Sequence, residues 1–479
     1  MFRRVLGTAA LASLVFSLFC AAPSSAQSAD AVLVVGGTPA GVAAAVAAAR
    51  QGADVTLVST RPELGGVLTD AMMDQWDLNV APDGAVIQAG LFSEIHAALG
   101  DAFTPADAAR VFGALVDGEP RIHLIRDAQV VDVTSSASPA GRVVSSLRFR
   151  RDDGSTFTLP ATTVVDATDD GDVAALAGAR YDVGRQDTGI DERMQAVTLM
   201  FTLRGVDWPQ VVAGYDIARD GAGGALERRA WGYATLLAGY VPRSPEVIVR
   251  DLNLGHESDG EVTVNAVDVV GVDALSDADL ARARTLSEDE TPRLIAWLRP
   301  RIPGFADATP GRYADTLYVR ETRHFAGVET LTADDVWDGT IPADTIGLSS
   351  YPLDLHPVSA TDRLAYAPTR HVYGIPFGTL VPRELANVIL ASPAISATHI
   401  ASGSARVIPT TIEEGEAAGV AAALAWRDHL AFTTMAHDSA AIDALRDDLR
   451  HGGTILSYRT DAPAPSVVGR QERGDPRVG

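Results

Sequence analysis

Lysine is absent from this chain, and its single cysteine is Cys20. Without lysine, Schiff-base chemistry is closed, and all 39 fixed cations are arginines, the side chain best shaped for carboxylates and phosphates. Cys20 stands inside an apolar N-terminal run, so the rest of the chain has no thiol, no disulfide and no thiolate-held metal. Positive charge is scarce throughout: 62 acidic residues give a net charge of −23, which argues against nucleic acid and anionic membranes as partners. There is no Gly-x-Ser-x-Gly elbow of the hydrolase kind. The 10 histidines are scattered, with no His-x-x-x-His pair in a plausible helix, so no metal site is expected. No internal repeat is visible.

What is present begins with a targeting pattern. Arg3-Arg4, an apolar run from Val5 to Ala22 and small residues up to Ala26 read as an export signal over residues 1–26. The arginine pair permits the twin-arginine route, which moves folded proteins, and places the mature chain in the periplasm or outside the cell. A retained membrane anchor is the alternative.

Residues 31–66 carry the most information. Ala31 to Val35 is a short apolar strand; Gly36-Gly37-Thr38-Pro39-Ala40-Gly41 is a glycine turn opening an Ala-rich helix to Arg50; Asp54 to Val58 is a second strand. A strand that ends in glycines and opens a helix makes an anion cradle, because backbone amides and the helix dipole both point at a diphosphate. An FAD- or NAD-type nucleotide is therefore expected. Two positions depart from the full fingerprint: Thr38 replaces the middle glycine, and Ser59 replaces the acid that holds ribose hydroxyls. The Ser59-Thr60-Arg61 end would also suit a 2′-phosphate, which keeps NADP open.

The 479 residues allow one large or two medium domains. A helix is expected over Leu91 to Leu99, stopped by Gly100. Residues 120–165 alternate as strands (Ile122–Ile125, Ala128–Val133, Val143–Arg151, Thr156–Leu159), an antiparallel meander inserted in an α/β domain and followed by the strand Thr163–Asp166. Residues 180–370 show less periodic order and are the natural place for a substrate domain. The α/β pattern returns with a strand at Val388–Leu390 and an Ala-rich helix from Thr411 to Trp426. The tail after about Arg459 is rich in Pro, Arg and Asp and reads as disordered.

Taken in order, several segments resemble the FAD-dependent oxidoreductase family with a glutathione-reductase-like FAD domain: Gly36 to Gly41, Leu64 to Thr69, Val165 to Ala175, Met194 to Met200, Arg320 to Arg323, Tyr373 to Pro376, and Ile395 through Gly419. The resemblance implies an α/β fold: a Rossmann-like FAD-binding domain with a parallel sheet and an antiparallel meander, plus an inserted α+β substrate domain. The units would be the FAD domain over 27–180, the substrate domain over 181–370, an FAD-domain return segment over 371–435, and a C-terminal helix with its tail over 436–479. The resemblance also implies cofactor roles: Gly36 to Gly41 at the diphosphate, Ser59, Thr60 and Arg61 at the adenosine ribose, Gly65 and Gly66 close to the cofactor, and Val130 at adenine. Ala167, Thr168 and Asp169 would form the second FAD motif, with Asp169 in place of its final glycine. Arg406 to Thr410, including Pro409, lead into the last helix, whose N-terminus would face the flavin pyrimidine edge and stabilise negative charge there.

Flavin chemistry also needs a proton carrier beside the ring. His399 is the first candidate, with Arg406 as an anion holder. Arg320 and Arg323, in a cluster with Glu321 and His324, are placed either to clamp a carboxylate or sugar acid or to form a structural ion-pair network. Asp74, Trp76, Asp77 and Asn79 suit a polyol site or an ordinary packed loop; His371 and Tyr373 are further options. The expectation is an FAD enzyme moving a hydride between a small polar, sugar- or organic-acid-like substrate and flavin, with an electron acceptor of unspecified kind. An NAD(P)-dependent enzyme and a non-catalytic binding module are the alternatives.

Overall fold

The computed structural model describes residues 32–257, 260–362, 365–369 and 371–458. The export signal expected at 1–26 and the tail expected after Arg459 lie outside the described residues. No helix among the described residues is long and apolar enough to cross a membrane.

A parallel sheet organises the first core. Its strands lie side by side in the order Val388–Leu390, Val164–Asp166, Val32–Val35, Val55–Val58, Ile122–Ile125, every pairing parallel. These strands are short apolar runs without alternation, as expected where helices cover both faces. The first helix, Pro39–Arg50, buries all of its residues but Arg50. It packs on the long helix Ile408–Asp428, where Gly415 and Gly419 lie against the backbones of Ala40 and Ala44. A Cβ at either glycine would come within 2.2 Å of a carbonyl oxygen of the first helix, so the two axes approach as closely as they do only because both residues are glycine.

The meander is a three-stranded antiparallel sheet of Ala128–Ser138, Gly141–Arg151 and Thr156–Pro160; Ile122–Ile125, expected as its first strand, instead pairs parallel with Val55–Val58 at the edge of the parallel sheet. A second hydrophobic core draws its buried residues from Met194 to Ala308. It joins a six-stranded antiparallel sheet, whose central strands are Leu252–His256 and Val262–Asn265, to the 22-residue helix Asp277–Leu298. From Ala314 onward the chain rejoins the first core through Phe325, Leu331, Val336 and Ile346.

The α/β architecture expected from the sequence is therefore present. The helix at Leu91–Leu99 and the strand at Val388–Leu390 have the expected bounds. The long C-terminal helix starts earlier than Thr411, because Pro409 sits in its first turn, where a missing amide costs nothing. Helix Asp277–Leu298 was not anticipated. Its polar content and internal Pro292 hide a buried stripe that includes Ala283, Ser287, Leu294 and Leu298.

Candidate active site

The chain crosses from one side of the parallel sheet to the other between Val32–Val35 and Val164–Asp166. In open sheets of this kind ligands bind beyond the carboxyl ends of the strands at such a point. Here the register sets Val35, Asp166 and Leu390 side by side. The residues that follow them, Thr38 to Ala40, Asp169, and Ala391 to Pro393, line one small cavity with Ile408 and Thr411 of the long helix. A larger cavity of about 520 Å³ adjoins it, sharing Val67, Asp169, Val319, Arg320 and Pro393 and reaching Thr60 and Arg61 on one side and Arg284 on the other. Two regions more than 360 residues apart in sequence thus open on one crevice.

The turn fits a diphosphate. Gly36 has φ +124°, and a Cβ there would stand 2.1 Å from the Ala167 carbonyl oxygen. Thr38 has ordinary extended backbone, so no glycine is needed at that position. Its hydroxyl accepts from the Gly41 amide at 3.0 Å and donates to the Ala167 carbonyl at 3.0 Å, capping the helix and tying the first motif to the second. The amides of Gly37, Thr38 and Ala40 donate to no other group among the described residues. Gly66, at φ +48°, would press a Cβ to within 3.2 Å of Thr38. No side chain among the described residues caps the helix Ile408–Asp428, and the amides of Ile408 and Thr410 have no acceptor among those residues, at the cavity that Ile408 lines. The result is a strand-turn-helix cradle facing a second helix N-terminus, the arrangement of a Rossmann-type dinucleotide cleft.

The chain belongs to the FAD dependent oxidoreductase family, whose sequence pattern matches residues 31–449. FAD is its cofactor and the protein is a flavin-dependent oxidoreductase, which sets aside the NAD(P)-dependent and non-catalytic alternatives. A search of the curated proteins finds no significant match. Among solved structures the chain is similar to p-nitrophenol 4-monooxygenase PnpA from Pseudomonas putida DLL-E4, at 12% identity and TM-score 0.41, over 89% of this chain and 88% of that one. It is also similar to a geranylgeranyl bacteriochlorophyll reductase-like protein from Thermoplasma acidophilum, at 13% and 0.41, over 88% and 83%. A third is the flavin-dependent brominase Bmp2, at 10% and 0.44, over 87% and 83%.

Beyond the cradle, the wall of the cleft is charged. Arg320 and Arg406 both line the small cavity, with Tyr318 between them. Arg406 donates Nη1 to the Tyr318 hydroxyl at 3.0 Å and Nη2 to the Asp354 carbonyl at 3.1 Å. The Arg320 guanidinium lies over the Tyr318 ring, 4.6 Å from its centre, and donates Nη1 to the Ala196 carbonyl and the Thr198 hydroxyl, both at 2.8 Å. Asp169 opens onto both cavities. Enclosure by the walls, and then the charges of Asp170, Asp70 and Asp172, push its carboxyl up to about 7.

Glu321 lines the larger cavity. Its Oε1 accepts from His399 Nδ1 at 2.6 Å and from His324 Nε2 at 2.9 Å, and its Oε2 accepts from the Gln195 amide at 3.0 Å. Burial alone would raise this carboxyl; the hydrogen bonds from His324 and His399 outweigh it and hold the group down at about 2. His399, the first residue of the helix His399–Ala405, does not itself line either cavity and meets the cleft through Glu321.

Other expected site residues lie elsewhere. Arg323 bonds the Asp170 carbonyl at 2.8 Å and the Asp172 carboxylate at 2.9 Å, and lines neither cavity: of the two arrangements considered for it, the structure shows the ion-pair network. Ser59 is buried, and its hydroxyl closes a turn onto the Arg61 backbone at 2.9 Å. Val130 pairs with Phe149 in the meander and lines neither cavity. Pro409 and Thr410 are buried in the first turn of the long helix, behind Ile408 and Thr411.

Asp74, Trp76 and Asn79 pack into the core and line neither cavity, whereas Val67, Asp70 and Ala71 just before them line the larger one. Trp76 donates to the Gly100 carbonyl at 2.8 Å and packs edge-on to Phe92. Asp74 is buried against Gly255, and Asn79 accepts from the Ser349 hydroxyl and the Ser350 and Tyr351 amides. Tyr373 is buried against Ser404, 2.7 Å away, and the ring of His371 lies against Gly339. Among the described residues no group of three or more His, Cys, Asp or Glu is placed to hold a metal. Sequence reasoning did not find Tyr318, Asp268, Asp354 or His356. Each stands outside any motif, and only the fold brings them to the arginines.

Proposed function

We propose that this enzyme oxidises or reduces a small polar, sugar- or organic-acid-like substrate against FAD. The observation that supports it is the joint opening of two helix N-termini and two arginines, Arg320 and Arg406, on one cavity. The amides around Gly37, Thr38 and Ala40 would hold the diphosphate, and the first turn at Ile408 would face the electron-rich edge of the ring. When bound, FAD takes up or returns the hydride, and that redox chemistry is the cofactor's own.

Oxidation of a carbinol also releases a hydroxyl proton, which needs an acceptor in the chain. We assign it to the Glu321–His324–His399 cluster. Both histidines face Glu321 through one ring nitrogen, His399 by Nδ1 and His324 by Nε2, and His324 Nδ1 is buried with no hydrogen-bond partner among the described residues. Export by a route that carries folded protein, read from residues 1–26, is consistent with an enzyme that must load its cofactor first.

The test is an absorbance spectrum of the purified protein, followed by anaerobic addition of sugars and organic acids. Bleaching of the flavin band by one class supports the reading and names the substrate. Protein that stays colourless after incubation with excess FAD, or a flavin band that none of the panel bleaches, overturns it.

A further inference from the structure

Arg320 and Arg406 are joined behind the cavity wall. Arg320 Nη2 stands 3.4 Å from Asp268 Oδ1, and Asp268 Oδ2 is 3.0 Å from His356 Nδ1. On its other side, His356 Nε2 is 3.8 Å from Asp354 Oδ2, which is 3.6 Å from Arg406 Nη2. Tyr318 closes the ring in front, under one guanidinium and bonded to the other. Two arginines more than 80 residues apart in sequence are thus linked through Asp–His–Asp, with Asp268, His356 and Asp354 absent from the cavity lining.

The arginines are not saturated by this ring. Nε of Arg320 and Nε of Arg406 are buried and have no hydrogen-bond partner among the described residues. A buried guanidinium donor without an acceptor is costly and calls for a partner the chain does not supply. Both arginines line one small cavity in which Asp169 is the sole carboxyl among the lining residues, and an anion with two oxygens fits that pair of guanidiniums. A sugar hydroxyl would leave the fork geometry of both arginines unused.

We propose that the substrate of this flavoenzyme carries a carboxylate seated between Arg320 and Arg406, and that His356 is a positioning residue which sets the two guanidiniums through Asp268 and Asp354. This rests on the proposed function and narrows it to organic acids. The carboxylate orients the substrate, and the chemistry takes place at a carbon beside it.

The holoenzyme tests both parts. Acetate, glycolate and succinate are titrated against the flavin absorbance band, with sulfate as the control anion. One carboxylate is expected to shift the band saturably at concentrations where sulfate does not. R320Q and R406Q are expected to keep their flavin and to weaken that binding about tenfold or more, the usual effect of losing a charged hydrogen bond. H356A is expected to weaken it about tenfold by releasing both aspartates, and to raise KM more than it lowers kcat. H356N keeps one donor toward Asp268 and should recover part of the loss, a rescue that a packing role would not give.

Carboxylate affinity unchanged in H356A overturns the role of His356. A sulfate response equal to the carboxylate response overturns the carboxylate assignment. Loss of flavin from R320Q or R406Q makes the arginine a cofactor contact and overturns it as well. A flavin-loaded wild type that sugars bleach and carboxylates leave unchanged sinks this inference alone, whereas a wild type without flavin sinks the function on which it rests.

Discussion

At the scale of single residues, the departures from the dinucleotide fingerprint have local physical causes. Thr38 does by hydroxyl what a glycine cannot: it caps the first helix and bonds Ala167. Ser59 fits beside Gly37 because Gly37 has no Cβ; one built there would be 2.3 Å from the Ser59 hydroxyl. Gly36 has no such latitude. Gly36→Ala combines a left-handed backbone with a clash against Ala167, so purified G36A is expected to retain less than about a tenth of the wild-type flavin, read as the ratio of flavin to protein absorbance. Asn79, for which the sequence left both a polyol site and a packed loop open, is the acceptor for three donors of the 349–351 loop. Asn79→Ala leaves those donors buried and unpaired, at about 1–3 kcal/mol each before relaxation. Its melting temperature should fall by several degrees, and a melting curve that overlays the wild type would refute this account of the loop.

At the scale of elements, what was legible had a short period and strong punctuation. The strand-turn-helix at 32–50, the meander and Val388–Leu390 follow from apolar runs bounded by glycine and aspartate turns. What was not legible depends on partners far away in sequence. The helix Asp277–Leu298 buries Glu290 beneath the Tyr240 hydroxyl, a pairing no window of sequence contains. The arginine ring likewise assembles from residues 268, 318, 320, 354, 356 and 406. The contact of the first and last cradle helices gives a prediction at this scale. Gly415→Ala pushes a methyl into the Ala40 carbonyl and separates the helices that flank the cofactor. We expect G415A to lose both stability and flavin affinity, and equilibrium dialysis against FAD together with thermal unfolding would show it; an unchanged dissociation constant would mean the helix spacing does not matter to the site.

At the scale of the whole molecule, the buried carboxyls set a pH dependence whose direction can be worked out. Burial raises Asp74, Asp166 and Glu416 to about 7, and lifts Glu413 and Glu414 well above the ordinary carboxylate range. These groups bind protons more tightly folded than unfolded, so their stabilisation is present near pH 4 and drains away as pH rises through about 7. Glu321, held at about 2 by its two histidines, and Asp268, held well below the ordinary range against burial by Arg320 and then His356, act in the opposite sense and are lost in acid. The melting temperature should therefore peak near pH 5 and be lower at pH 8. Glu414 has no partner for either oxygen among the described residues, so Glu414→Gln should raise the melting temperature at pH 8 and change it little at pH 5. Equal shifts at both pH values would show that its charge is not the cause.

The two halves of the cofactor cradle are translated far apart, with more than 360 residues between Gly36 and Ile408. A nascent chain therefore holds only half a seat until the second half has left the ribosome, and the flavin meets its complete cradle only after that point.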